Sequence, residues 1–157
     1  MSGYARFINW FSTTPVGSWI ARTLAARVDP WVYRLSKGRF TSTGTPTIPQ
    51  LILTTTGRKS GAKRDVQLGY LRDGSDYILV ASNFGQQHHP AWALNLAASP
   101  QASVYVGGQD VSVVARRVSD AEKERLWPRL VAVIPQFSVY ITRTDRNIRV
   151  FRLTPTP

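Results

Sequence analysis

The stretch VQLGYLRDGSDYILVAS, residues 66–82, decides how this chain folds. Val66–Arg72 and Tyr77–Ser82 are rich in the branched and aromatic residues that suit a pleated surface, and Asp73-Gly74 stands between them. Glycine enters the left-handed backbone region of a tight turn at no steric cost. Asp-Gly between two such runs therefore predicts an antiparallel hairpin.

The same pattern extends outward. Upstream, Gln50–Thr55 reads as a strand after the Thr-, Gly- and Pro-rich loop of residues 40–49. Downstream, Ala102–Val106 and Asp110–Val118 form a second hairpin about Gly107-Gly108, and Ile148–Leu153 is a final strand. Only two connections supply helices. His89-Pro90-Ala91-Trp92 opens a short one through about Ala98, with Pro90 in its first turn. Ser119-Asp120-Ala121-Glu122 is a capping-box pattern that starts another, running to about Val133 with a kink at Pro128. Hairpins in series with two inserted helices predict an α+β fold whose antiparallel sheet curls into a barrel. A parallel doubly wound sheet would need a helix after nearly every strand.

Residues 1–40 read as a helical segment preceding this domain of residues 41–157. Tyr4, Phe7, Ile8 and Phe11 recur at helical spacing, and Trp10, Trp19, Trp31 and Tyr33 add aromatic bulk among Arg6, Arg22, Arg27, Arg34, Lys37 and Arg39. Pro15 and the Asp29-Pro30 step are expected to break the segment into shorter helices. A basic, aromatic amphipathic helix either packs its apolar stripe on the domain or lies in a membrane interface.

A chain of 157 residues with 43% apolar composition can bury a real core as one domain. The absence of cysteine removes disulfides, thiolate metal sites and cysteine nucleophiles, and fits a reducing cytosol. No secretory leader and no bilayer-length apolar run can be read, so a cytoplasmic location is expected, peripheral at the membrane if the N-terminal helix binds lipid. Nothing in the sequence specifies an oligomeric state. The net charge of +11 favours an anionic partner: nucleic acid, an acidic membrane surface or a polyanionic small molecule.

The placement of charge narrows that choice. In TTTGRKSGAKR, residues 54–64, Arg58, Lys59, Lys63 and Arg64 fall within seven positions directly after the apolar Leu51-Ile52-Leu53. Gly57 and Gly61 let the backbone turn N–H groups toward an anion, and Ser60 adds a hydroxyl. Arginine grips phosphate or carboxylate oxygens in bidentate fashion, whereas lysine acts as a point charge. The Walker A spacing is absent. The bland alternative is a solvated basic hairpin tip. Ala81-Ser82-Asn83-Phe84-Gly85 could admit a flat ring or be ordinary turn chemistry. Trp92 and Asn95, three residues apart, share one side of the second helix. The only two histidines, His88 and His89, are adjacent and lack a third ligand nearby, so no metal site is expected.

Taken in order, T-T-x-G-R-K-S-G-x-x-R, L-R-D-G, V-A-S-N, H-P-A-W-x-x-N-L and S-P resemble the deazaflavin-dependent nitroreductase family, the split β-barrel oxidoreductases that use coenzyme F420. The match runs from about Pro49 to Leu153. The resemblance implies an FMN-binding-like antiparallel barrel and a cofactor with a phosphate and an acidic polyglutamate tail. It places Arg58, Lys59, Ser60 and Arg64 on the phosphate and tail, with the backbone at Asp65 against the cofactor. It places Val80, Ala81, Ser82 and Asn83 along the deazaflavin ring, and Ala91, Trp92, Ala93, Leu94 and Asn95 on the helix closing over it.

The implied reaction is hydride transfer from the reduced ring to an apolar, electron-poor quinone, enone or nitroaromatic, the proton coming from solvent or from Ser82 or Tyr140. Phe137 and Tyr140 are expected to line the acceptor pocket, and Gly69 to open it where relatives carry a larger aromatic. A cofactor carrier with little turnover, or an FMN-binding barrel, are the alternatives within the fold. FMN lacks the acidic tail, and four cations exceed what one phosphate needs. Nucleic-acid binding is disfavoured because the aromatics do not interleave with the cations of residues 58–64.

Overall fold

The computed structural model describes residues 15–41 and 46–157. The stripe of Tyr4, Phe7, Ile8 and Phe11 and the neighbouring Trp10 lie outside the described residues. Seven strands, β1 (Gln50–Thr56), β2 (Lys63–Gly69), β3 (Leu71–Asp73), β4 (Asp76–Val80), β5 (Gln101–Val106), β6 (Gln109–Arg117) and β7 (Val150–Pro155), form one sheet in the order β2-β1-β5-β6-β7-β4-β3. Every pairing in it is antiparallel. The helices are α1 (Pro15–Leu35), α2 (Ala91–Ala98), α3 (Asp120–Val133) and α4 (Gln136–Tyr140).

The opening stretch does more than make a hairpin. Asp73 pairs with Asp76 across Gly74, whose φ of 61° is the left-handed value the Asp-Gly step predicts. Val66–Arg72, however, is not one strand. β2 and β3 lie on opposite edges of the sheet, and in the chain only Tyr70 separates them. One residue spans under about 4 Å, so the two edges must approach each other and the sheet curls into a split barrel. The Tyr70 backbone N–H anchors this corner by donating to Pro49 O at 3.1 Å. Beside it, a Cβ on Gly69 would stand 2.7 Å from Ile134 Cδ1 and 2.9 Å from Ile48 Cδ1, so any larger residue would make the tips of those isoleucines shift where they close over the bend.

Alternation along the strands splits the core in two. Leu51, Leu53, Tyr77, Leu79, Val104, Val113, Phe151 and Leu153 fill the barrel together with Trp92, Ala93 and Leu96 from α2. Ile78, Val80 and Val150 point the other way and are covered by Leu126, Leu130, Ile134 and Phe137 of the α3–α4 region. The Ser119 cap behaves as its sequence requires, with the Glu122 N–H donating to Ser119 Oγ at 3.1 Å.

Four local expectations are corrected. The Asp29-Pro30 step does not break the N-terminal segment: α1 runs continuously from Pro15 through Pro30 to Leu35. Proline removes one helical N–H, and Ala26, whose carbonyl loses that partner, lies on an exposed side where solvent can satisfy it. The inserted helices are three, because α4 follows α3 after Pro135, and a 3₁₀ turn also forms at Asn83–Gly85. β2 starts at Lys63, which places Lys63 and Arg64 on a strand and leaves only Gly57–Ala62 as loop. The last strand sits two residues later than its composition suggests. Among the described residues no helix is long and apolar enough to cross a membrane.

Candidate active site

The β1–β2 hairpin closes through short backbone bonds, Gly57 N–H to Ala62 O at 2.7 Å and Gly61 N–H to Gly57 O at 2.8 Å. Gly61 sits at a φ of 69°, which explains glycine there. Ser60 Oγ accepts from the Ala62 N–H at 3.2 Å, so its hydroxyl proton stays available to another acceptor. The loop is pinned to α2 by Asn95. Its Oδ1 accepts from the Arg58 N–H and its Nδ2 donates to Thr55 Oγ1, both at 3.1 Å, and the residue is only 4% exposed.

Between hairpin and helix lies a cleft of about 910 Å³. One wall carries Arg58, Lys59, Ser60 and Arg64; the other carries Pro90, Ala91, Trp92 and Leu94, with Asn83, His88 and His89 at one side. Arg58, Lys59 and Arg64 are exposed, and none forms an ion pair with a described residue. Asp65 also lines the cleft, but its carboxylate is spent elsewhere. It accepts from Thr54 Oγ1 at 2.6 Å and pairs with Arg34 of α1 at 3.4 Å. Trp92 is buried, edge-on to Phe151 with ring centroids 5.8 Å apart, and borders both core and cleft.

The structure thus brings together Arg58, Lys59, Ser60, Arg64, Asp65, Asn83, Ala91, Trp92, Leu94 and Asn95. Several expected residues stand apart. Val80, Ala81 and Ala93 are buried in the two cores, facing side chains and not the cleft. Ser82 is buried, with its carbonyl taken by Arg146. Phe137 packs against Trp127 under α3, because its position on α4 turns it toward the sheet. Tyr140 stands edge-on to Phe84 at 5.8 Å, one residue removed from the cleft wall at Asn83. Gly69 opens no pocket, since Ile134 and Ile48 fill the space above it.

Sequence reasoning missed the residue that holds the side of the cleft at Asn83 and His89. Arg146 donates to Ala81 O at 3.1 Å, to Ser82 O at 3.0 Å and to Gln86 O at 3.1 Å, and also reaches His89. It secures a turn in which Asn83 and Phe84 adopt φ values of 44° and 56°, unfavourable for residues with a Cβ. Asn83 Nδ2 adds a bond to His88 O at 3.0 Å. The strained Asn83-Phe84 pair followed by glycine was the one signal in the sequence, and it named the turn but not its clamp. Burial, and then the cations Arg149, Arg146 and Arg117, lower the pKa of His89.

A set of cations unpaired among the described residues, with a hydroxyl on one wall and an apolar, aromatic wall opposite, fits a flat ring carrying a polyanionic chain. Comparison with known proteins agrees. The sequence pattern that defines the F420H(2)-dependent quinone reductase family matches residues 25–155. The F420H(2)-dependent quinone reductase Rv1261c of Mycobacterium tuberculosis is 33% identical over 145 residues, covering 88% of this chain and 97% of that protein. Among solved structures, the F420-H2 dependent reductase FDR-A is 39% identical with a TM-score of 0.62, over 67% of this chain and 93% of that one. A domain-swapped dimer is 32% identical with a TM-score of 0.64, over 89% of this chain and 99% of that one. The chain belongs to the F420H(2)-dependent quinone reductase family and is an F420-dependent reductase whose cofactor is coenzyme F420.

Proposed function

We propose that the cleft holds F420 with its phosphate and glutamate tail along Arg58, Lys59, Ser60 and Arg64, and that an apolar quinone is the acceptor. The observation that carries this reading is the line of three cations, without ion-pair partners among the described residues, facing an otherwise largely apolar cleft. Such charges cost little when solvated and attract an anion strongly when it arrives. Reduced F420, when bound, supplies a hydride to the acceptor. The protein's own share is positional. Arg58, Lys59, Ser60 and Arg64 hold charge, Asn95 fixes the loop that bears them, and Trp92 with Ala91 and Leu94 gives the ring an apolar face. Neither Ser82 nor Tyr140 lines the cleft, so solvent is the proton source for the reduced acceptor. Titration with F420, FMN and a tail-trimmed F420 tests the reading: full-length F420 should bind tightest. Equal affinity for FMN would overturn it.

A peripheral membrane position fits the quinone reading. On α1, Leu24, Val28, Trp31 and Leu35 recur at spacings of four, three and four residues and are 56%, 45%, 71% and 82% exposed. Trp19 is exposed as well, and Arg27 lies in the same stretch. An apolar stripe with tryptophan and basic neighbours suits a lipid interface. Cosedimentation with anionic vesicles should be lost in the double variant Trp31→Ser, Leu35→Ser. Retention by that variant would argue against the stripe as the contact.

A further inference from the structure

Two side chains left idle by the reading above meet at the edge of the cleft. His89 lines it, and Arg146, in the loop between α4 and β7, reaches the ring. Arg146 Nη1 lies 3.1 Å from His89 Nδ1. A guanidinium has N–H donors and no acceptor, so Nδ1 must present a lone pair at that distance, and a neutral ring then carries its proton on Nε2. Three backbone carbonyls, Ala81 O, Ser82 O and Gln86 O, fix the guanidinium, so the contact is built into the loop. The charged groups acting on His89 are Arg149, Arg146 and Arg117, all cations, and with burial they keep the ring neutral.

We propose that Arg146 locks His89 as a neutral Nε2–H donor facing the cleft, where it engages an oxygen of the bound cofactor. The cofactor half rests on the functional reading above; the tautomer half does not. An uncharged donor adds direction to a site whose charge Arg58, Lys59 and Arg64 already supply. It does not protonate the reduced acceptor, because loss of the Nε2 proton would leave an imidazolate. Ring carbonyls and the phosphate offer the same oxygen chemistry, and the ligand used in the test separates them.

The test is long-range proton–nitrogen correlation NMR on isotope-labelled full-length protein. With only two histidines, His88→Gln identifies which signals belong to His89. The free protein should show the Nε2–H tautomer at His89, titrating below the ordinary value of about 6.5. Arg146→Met should mix the tautomers and raise the midpoint, whereas Arg146→Lys, which keeps a donor, should retain most of the Nε2–H form. Saturation with F420 should shift His89 Nε2. A tail-less, phosphate-free deazaflavin should reproduce the shift if the oxygen is on the ring, and leave it out if it is on the phosphate. An Nδ1–H tautomer, a tautomer unchanged in Arg146→Met, or an unmoved Nε2 while deazaflavin fluorescence shows F420 bound would each overturn the proposal. Failure of F420 to bind the unaltered protein would instead sink the functional reading, with the free-protein tautomer still deciding the Arg146–His89 pairing.

Discussion

Asn95 Oδ1 lies 3.1 Å from the backbone nitrogen of Arg58, so a side chain of α2 holds the main chain of the basic loop. Asn95 Nδ2 donates to Thr55 Oγ1 at the end of β1, which ties three parts of the site to one buried residue. An amide in that position is spent on architecture, while the cations beside it form no ion pair among the described residues.

Removing that amide should loosen the loop and the fold together. Asn95→Ala leaves the Thr55 hydroxyl and the Arg58 N–H without partners, a loss of about 1–3 kcal/mol of stability. Asn95→Asp keeps the acceptor for Arg58 and should lose less. Thermal melts together with F420 titration check this; an Asn95→Ala protein with unchanged affinity would show that the loop needs no anchor.

The cations themselves should act on the tail. Arg58→Ala and Arg64→Ala should each weaken F420 binding by about 1–3 kcal/mol, and by less for cofactor trimmed of glutamates. Equal losses with trimmed and full cofactor would place these arginines on the phosphate alone.

Gly69 tests the barrel corner against the pocket it was expected to open. Gly69→Ala puts a methyl 2.7 Å from Ile134 Cδ1 and should destabilise by about 1–3 kcal/mol through overpacking. Ile134→Ala in the same chain should recover part of that loss. Calorimetry of the three variants decides it, and a neutral Gly69→Ala would mean that the isoleucines yield freely.

On the α3 side of the sheet, Arg152 pairs with Asp73 at 2.8 Å and with Asp76 and Glu122 at 2.9 Å each. Hydrogen bonds from Arg129 and Arg152 hold the Asp73 carboxyl below its usual range, and Arg116 followed by Arg152 does the same for Glu122. Folded-state values below the unfolded ones of about 3.9 and 4.3 mean stability fully present above those values and lost as pH falls through the folded ones. The carboxylate contribution to melting temperature should therefore be flat above about pH 5 and drop below about pH 4, while the depressed His89 adds a separate loss as pH falls through about 6.5. Arg152→Met strands Asp76 but leaves Asp73 on Arg129 and Glu122 on Arg116; it should lower stability near neutrality by about 2–4 kcal/mol and partly flatten the acid limb. An acid limb unchanged in that variant would locate the sensitivity elsewhere.

Much of this was legible from residues next to one another. Asp73-Gly74 and Gly107-Gly108 specify turns, Ser119 caps a helix against Glu122, and the charge density of residues 58–64 is what raises the proposal of an anion site, because each depends on local backbone geometry or local charge. What tertiary structure alone decided acts over distance. Tyr70 turns one expected strand into both edges of a barrel, a fact that exists only once the other strands lie between β2 and β3. Arg146 meets Ala81 from 65 residues away, and Phe137 faces core instead of cleft because α4 packs on the sheet. Periodicity records which side of an element is apolar; it carries no record of which distant group will stand against it.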